Sequence, residues 1–349
     1  MPRPIDLHTH SSVSDGTETP TELVQAAAAA GLGTVAITDH DSTAGWQEAF
    51  AAASGTGLTV IPGMELSTNF GPASVHMLAY LFDPEDATVI AETARIRDGR
   101  ASRAERIVER IAVDYDICWA DVLAQSVEGG TLGRPHIADA LVAKGLVSDR
   151  NAAFASILHW QSGYYEKYYA PSPLDGVRMI VAAGGAPVLA HPATLGRYRV
   201  IEERAIAELA AAGLIGLEIH HRDNTEDGKA RLYELAEKYD LVVTGSSDYH
   251  GEGKHNRLGE NTTEPDALER IIAACLVKDR SERTASIEAF AAALPSLDDA
   301  LDVFSDAMEA APSRAPLPTL ADSGDAVRKA HPGGGAGHGL DEKGWDRFA

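Results

Sequence analysis

Short apolar runs alternate along the chain with longer stretches of helical periodicity. Ile5 to His10 has strand character, and Thr19-Pro-Thr-Glu22 then opens a helix with Thr19 as N-cap, Pro20 in the first turn and Glu22 closing a capping box. The alanine-rich helix stops at Gly31. The runs "TVAITDH", "LTVIPGMEL" and "SVHMLAYLF" predict three further strands, with a helix over Trp46 to Ala53. Three more follow in "APVLAHP", "IGLEIHH" and "LVVTGSSDYHG", accompanied by helices over Arg204 to Ala212 and Asp227 to Tyr239. Such alternation predicts an α/β fold of parallel strands joined by right-handed crossovers. Polar residues gathered at the C-terminal strand ends favour a barrel over an open doubly wound sheet. No glycine-rich phosphate fingerprint follows the first strand, which weakens the open-sheet alternative.

Between residues 84 and 173 the alternation lapses into helices over Glu85 to Ala112, Trp119 to Gln125, Arg134 to Lys144 and Asn151 to His159. The expected organisation is a barrel in two parts, 1–83 and 174–290, with a helical insertion at 84–173 over its mouth. Residues 291–349, with "APSRAPLPTLADSG" and "HPGGGAGHG", form a low-complexity tail expected to be disordered, which removes His331 and His338 from the chemistry.

Composition narrows the function. The chain has 349 residues, 44% of them hydrophobic, so a sizeable core is expected. A net charge of −22 excludes a surface that tracks duplex DNA or an anionic membrane, while leaving room for a local anion site. Cys118 and Cys275 lack metal-ligand spacing and read as two buried thiols, a usage that suits a reducing cytoplasm. No signal-peptide pattern and no apolar run of about 18 residues is present, so a cytoplasmic protein is expected.

The candidate chemistry lies at the strand ends. His8 and His10 are two apart on a strand and share one face, where two imidazoles can chelate one metal. Asp15 follows the same strand, His40 closes "AITDH", Glu65 ends "VIPGME", His76 lies in "SVHML", His191 in "VLAHP", and Asp248 and His250 in "SSDYH". Neutral imidazoles mixed with carboxylates, and no thiolate, suit borderline and hard divalent ions. Gathering so many ionisable groups in apolar strands without a cation is costly. The number of donors exceeds what one ion needs and fits two or three ions sharing a carboxylate.

The four motifs "DLHTHSSVSDG", "AITDHD", "VLAHP" and "SSDYHG" together resemble the polymerase and histidinol phosphatase (PHP) domain family over Ile5 to about Cys275. The resemblance implies a distorted (β/α)7 barrel with a trinuclear metal site that hydrolyses phosphate esters through an activated water. By position, His8, His10, Glu65 and Asp248 would hold the first ion. Asp15, His40 and His250 would hold the second, and Glu65, His76 and His191 the third, with Glu65 bridging. Manganese is the first choice of metal, with iron and zinc behind it.

The insertion, "GRPHIADAL" and "RLGENTT" are most similar to the nucleotide-directed branch of the family. That branch implies removal of the 3′-phosphate from nucleoside 3′,5′-bisphosphates, and 5′-to-3′ exonuclease action on short oligonucleotides. Histidinol-phosphate hydrolysis and a metal-stabilised, non-catalytic binding module are the alternatives. Small phosphorylated nucleotides or short oligonucleotides are thus the expected partners, and neither duplex DNA nor membrane.

Arg134, in "GRPH", is the main candidate for gripping a phosphate, through its planar fork. His136 either assists or caps the same helix. One of His220 and His221 should point inward, and His221 or Arg222 is expected to contact substrate. Asp41 either orients a ligand or the leaving group, or caps the following helix. Arg97, Arg100 and Arg103 recur at threes, reading either as recognition of a second phosphate or, more commonly, as a solvated face paired with Glu92, Glu105 and Glu109. Tyr164, Tyr165, Tyr168 and Tyr169 read as junction packing rather than as a stacking platform.

Overall fold

The computed structural model describes residues 3–71, 73–194 and 202–276, and the tail expected at 291–349 lies outside the described residues. Seven strands form one sheet in sequence order: β1 (Ile5–Asp6), β2 (Thr34–Ile37), β3 (Thr59–Phe70), β4 (Ala73–Tyr80), β5 (Ala186–Ala190), β6 (Gly216–His220) and β7 (Val242–Gly245). Just beyond β1 and β7, Thr9 bridges Tyr249 and the His10 amide donates to the Tyr249 carbonyl at 2.8 Å. First and last strands therefore meet, and the sheet nearly closes into a barrel.

Helices α1 (Pro20–Ala29) and α2 (Trp46–Ala53) separate the first three strands, and α3 (Ala87–Ile111), α4 (Trp119–Leu123), α5 (Arg134–Ala143), α6 (Arg150–Ala155) and α7 (Pro173–Ala182) lie between β4 and β5. Then come α8 (Glu203–Ala212), α9 (Glu226–Tyr239) and α10 (Pro265–Leu276). The capping box at α1 forms as predicted, with Glu22 N donating to Thr19 Oγ1 and Thr19 N to Glu22 Oε2. The main core joins Val35 and Ile37 of β2, Leu189 of β5 and Leu217 of β6 to Leu23 of α1, Ile180 of α7, Ile206 of α8 and Leu232 of α9. Each such side chain contributes roughly 1.5–3 kcal/mol on burial. Leu7, Ala36, Ile61, Leu78, Tyr80, Val188 and Val242 form a separate cluster with Ile271 and Cys275 of α10. There the Tyr80 hydroxyl donates to the Leu7 carbonyl at 2.9 Å, fastening the strand that carries His8. Tyr80→Phe is expected to lower stability by about 1 kcal/mol, read from the urea midpoint at constant slope.

Four features differ from the sequence expectations. The strands are not all parallel: β4 runs antiparallel to both β3 and β5. Phe70 of β3 pairs with Ala73 of β4 only three residues on, with Gly71 at φ 60°, far short of the dozen or more residues that a parallel crossover needs. The antiparallel direction has a consequence for the site. It pairs His76, near the start of β4, with Ser67 of β3 and Ala190 of β5, beside Glu65 and His191. The helix expected to reach His159 ends at Ala155, where the Ser156 hydroxyl turns back to the Ala152 carbonyl at 2.6 Å. Cys275 is buried, but Cys118 is exposed because it sits at the start of α4, its amide held by Asp121. Finally, Arg100 and Arg103 of α3 are only 5% exposed, so their face of the helix is not solvated.

Helices α3 to α6 share a core of their own, including Ala104, Ile107 and Ile111 of α3, Val122 of α4, Ile137 and Leu141 of α5 and Ala153 of α6. This group reaches the strand ends. Arg97 donates to the Asp41 carbonyl at 2.5 Å, Arg150 to the Asp15 carbonyl at 2.9 Å, and the Thr131 amide to the Val13 carbonyl at 2.8 Å.

Candidate functional site

The expected metal-binding residues come from separate strand ends and converge. His8 and His10 turn their Nε2 atoms toward each other at 3.0 Å. Glu65 Oε2 lies 3.3 Å from His8 Nε2 and 3.1 Å from His10 Nε2, and Asp248 Oδ1 lies 3.5 and 3.4 Å from the same two atoms. Donor atoms around a tetrahedral ion with bonds of about 2.0–2.1 Å stand about 3.3–3.4 Å apart, so these separations fit one cation.

The protonation states point the same way. His8 Nδ1 is 3.0 Å from Glu218 Oε1, and a proton held there leaves Nε2 with a bare lone pair. His10 Nδ1 faces Ser14 Oγ at 3.3 Å and Asp15 Oδ1 at 3.6 Å. Two imidazole lone pairs and two carboxylate oxygens then confront one another with no donor among them. Only a proton or a metal ion relieves that repulsion. Burial works against a charged ring, yet Glu218, Glu65 and Asp248 outweigh it and hold His8 well above its ordinary pKa. His10 rises to about 9, burial again being outweighed by Asp248 and Glu65. The pocket has a strong appetite for positive charge.

Glu65 serves both sides of the cluster. Its Oε1 is 2.8 Å from His76 Nδ1 and 3.1 Å from His191 Nε2, whereas Oε2 faces His8, His10 and, at 3.2 Å, His40 Nδ1. Asp15 stands between His250 and His40, with Oδ1 3.3 Å from His250 Nε2 and Oδ2 3.7 Å from His40 Nε2. The tight group around Asp15 includes His10 and His250, while His40 groups with His10 and Glu65. The buried Nδ1 of His40 has no hydrogen-bond partner. A further group, His221 with Asp223 and Asp248, was not expected.

Three residues that position the cluster, Asp39, Glu218 and Lys254, were missed. Asp39 accepts from the Ser11 amide and hydroxyl at 2.8 and 2.7 Å and from the Ser14 hydroxyl at 2.7 Å, fixing the turn that presents Asp15. Glu218 holds His8 through one oxygen and the His191 amide, at 2.9 Å, through the other. Lys254 Nζ reaches Asp248 Oδ2 at 2.7 Å. Asp6 accepts from the Ser247 and Gly259 amides at 3.0 and 2.8 Å, and burial pushes its carboxyl up to about 6.

The remaining candidates divide. Asp41 does not cap α2, whose N-cap is Gly45. Its two oxygens instead accept from the Ser67 amide and hydroxyl, both at 2.7 Å, and Oδ2 stands 3.5 Å from Arg100. His136 caps its own helix, Nδ1 accepting from the Gly133 amide at 3.1 Å. His221 points inward and is buried, while His220 is exposed and hydrogen-bonded to Tyr233. His221 Nδ1 accepts from the Asp223 amide at 3.1 Å, which puts the proton on Nε2, a buried atom with no hydrogen-bond partner 3.5 Å from Asp248. Arg222 is occupied by Glu260 at 2.8 Å and Asn256 at 2.9 Å, so its guanidinium braces a loop rather than facing the cluster. Arg134 stacks against Phe154 and Tyr165. Among the tyrosines, Tyr164 bonds Asp114, Tyr169 bonds Glu92, and Tyr168 lies beneath Arg103.

The profile of the PHP domain family matches residues 6–112. The chain is similar to a 3′,5′-nucleoside bisphosphate phosphatase of Chromobacterium violaceum, 34% identical over 254 residues that cover 72% of this chain and 89% of that one. It is also similar to a 5′-3′ exoribonuclease of Haemophilus influenzae, 32% identical over 265 residues, 75% of this chain and 95% of that one. A crystal structure from Bifidobacterium adolescentis, assigned as a metal-dependent phosphoesterase, aligns with a TM-score of 0.76 and 43% identity over 80% of this chain and 99% of its own. Relatives of this length and identity, together with converging imidazoles and carboxylates at the barrel rim, place the chain in the PHP domain family of metal-dependent phosphoesterases.

Proposed function

We propose that this chain removes the 3′-phosphate from nucleoside 3′,5′-bisphosphates, and that the same centre releases nucleotides from the 5′ end of short oligonucleotides. The names of the two relatives support the two activities. The observation that carries the reading is a juxtaposition. A cluster of imidazoles and carboxylates around Glu65 lies two residues along β3 from Ser67, which together with Asp41 engages the buried guanidinium of Arg100.

His8, His10, Glu65 and Asp248 would hold one divalent cation, Asp15, His40 and His250 a second, and Glu65, His76 and His191 a third, with manganese the first choice. Bound there, such ions supply a water of lowered pKa and neutralise phosphoryl oxygens. The chain's own residues do the rest. Glu65 keeps the two donor sets in register by giving one oxygen to each. His221 aims a buried Nε2–H at the cluster, placed to donate to a phosphoryl or leaving oxygen. Asp41, fully engaged by Ser67, fixes where Arg100 holds its charge. Helices α3 and α5 bring Arg100 and Arg134 to the same side and bind the substrate's anionic end.

A substrate panel tests this. Metal-loaded protein should release phosphate from adenosine 3′,5′-bisphosphate with kcat/KM at least about 100-fold above that for histidinol phosphate. A chelator should abolish the reaction and added divalent cation restore it. Efficient hydrolysis of other monoesters without release from the bisphosphate would overturn the nucleotide assignment.

A further inference from the structure

The run "HGEGKHN", which begins at His250, carries a lysine onto the rim of the cluster. Lys254 Nζ donates to Asp248 Oδ2 at 2.7 Å. Among the described residues, no other lysine or arginine side chain stands within salt-bridge distance of Asp15, Glu65 or Asp248. The loop is fastened on both sides of Lys254. Before it, the Glu252 amide donates to Thr17 Oγ1 at 2.9 Å and the Gly253 amide to the His250 carbonyl at 3.2 Å. After it, Asn256 donates to the Ser247 and Asp248 carbonyls at 2.7 and 3.1 Å and accepts from Arg222 at 2.9 Å. Arg150, whose Nη1 donates to the Asp15 carbonyl at 2.9 Å, crosses so close that a Cβ at Gly253 would run into it. Glycine there lets the loop come down onto the rim.

Asp248 divides its two oxygens. Oδ1 faces ring nitrogens of His8, His10 and His250 at 3.5, 3.4 and 3.5 Å. Oδ2 meets Lys254 and, at 3.5 Å, the buried Nε2 of His221, which has no hydrogen-bond partner. Two donors, one of them charged, therefore converge on a single oxygen at the edge of the cluster. The Lys254 side chain is 41% exposed and that of Asp248 only 4%, so the ammonium stands where solvent meets the buried ligands. This pairing suits the protein without cations. Cations held by Asp248 and its neighbours would draw on the same carboxylate charge and repel the ammonium, because like charges interact strongly in a partly buried site. A lysine's flexible stem lets its head reach a new acceptor while the backbone stays in place. The oxygens of a phosphoryl group at the cluster are such acceptors.

We propose that Lys254 is a catalytic residue, which passes from Asp248 to a non-bridging oxygen of the phosphoryl group under attack and holds it beside His221. It stays charged in both positions and gives up no proton. Its contribution is a fixed positive charge aimed at the oxygen where negative charge gathers. The competing role, in which Lys254 does no more than orient Asp248 toward a cation, predicts different losses. That the ester is a nucleoside bisphosphate rests on the function proposed above; the place of the lysine at the reacting phosphoryl group rests on its contact with Asp248 and on the neighbouring His221.

Three measurements on the full chain separate the two roles. In competition with a chelating dye, Lys254→Met should bind manganese at least as tightly as the wild type, because a like charge is gone. Inorganic phosphate is then titrated calorimetrically with and without manganese, the difference reporting phosphate held at the metal centre. Manganese should tighten phosphate binding in the wild type, and Lys254→Met should lose about tenfold of that tightening. At saturating manganese, kcat on adenosine 3′,5′-bisphosphate should fall about 100-fold in Lys254→Met and recover most of the loss in Lys254→Arg, which keeps the charge. A lower melting temperature in Lys254→Met transfers the same assays to Lys254→Gln. Weaker manganese binding, with kcat restored by excess manganese, overturns the proposal and leaves Lys254 as the group that orients Asp248. Phosphate binding or turnover that ignores the substitution overturns it as well. Lysine-dependent phosphate binding in a protein that never hydrolyses the bisphosphate leaves Lys254 in place and overturns the function.

Discussion

Replacing Glu65 with alanine is expected to abolish turnover, with kcat reduced by at least about 1,000-fold, and to leave the protein with less bound metal than the wild type. The reason is the division of its carboxylate. Oε1 serves His76 and His191, while Oε2 serves His8, His10 and His40. No other carboxylate among the described residues lies within salt-bridge distance of ring nitrogens in both sets, since Glu218 meets His8 through its ring but His191 only through its backbone amide, so both lose their common anion at once. Glu65→Gln should fare little better, since its amide nitrogen would turn a donor toward one set of lone pairs. Metal content by plasma mass spectrometry and single-turnover phosphate release check the prediction together. Full activity with full metal content in Glu65→Ala would sink the shared-bridge arrangement.

In the metal-free protein Glu65 has a second, pH-dependent effect. Burial opposes its charge, but His76, His40 and His8 outweigh burial and hold the carboxyl well below its ordinary 4.5. A depressed carboxyl contributes stability that is present above the unfolded value and is lost as pH falls through the folded one. The stability gap between wild type and Glu65→Ala, both metal-free, should therefore narrow on acidification below about pH 4.5.

Much of the cluster was legible because strand ends carry it. A side chain at the C-terminal end of a parallel barrel strand reaches the rim whatever the lengths of the intervening loops, so His8, His40, His191 and Asp248 could be grouped without knowing the packing. His76 is the instructive exception. It lies near the start of its strand and joins the cluster only because β4 is antiparallel, a direction set by the short turn at Gly71. Glu218 escaped notice for a different reason. An acid between Leu217 and Ile219 signals a special position, but its partner, His8, lies 210 residues away and only sheet register brings them together. Periodicity of three on α3 correctly put Arg97, Arg100 and Arg103 on one side of a helix. It could not say that this side faces Asp41, Ser67 and Tyr168 instead of water, since the covering residues come from the loop after β2, from β3 and from the approach to α7.

Glu218→Gln is expected to weaken metal binding about 10- to 100-fold although Glu218 touches none of the proposed cation positions. Glu218 is held down to about 2, burial being outweighed by His8, so it is ionised and accepts twice: from His8 Nδ1 at 3.0 Å and from the His191 amide at 2.9 Å. Glutamine can accept through only one of those atoms. If its nitrogen faces His8, the imidazole must move its proton to Nε2, the atom that confronts His10, Glu65 and Asp248. With the nitrogen toward the His191 amide instead, two donors collide on the residue that carries another proposed ligand. Either way a lone pair aimed at a cation is lost or misplaced, while the barrel core around Leu217 and Ile219 is untouched. The distinguishing measurement is activity against metal concentration: a positioning role predicts that saturating metal restores most of kcat, with the midpoint shifted 10- to 100-fold. A role confined to folding predicts a lower melting temperature and no recovery, and an unshifted midpoint would remove Glu218 from the metal centre altogether.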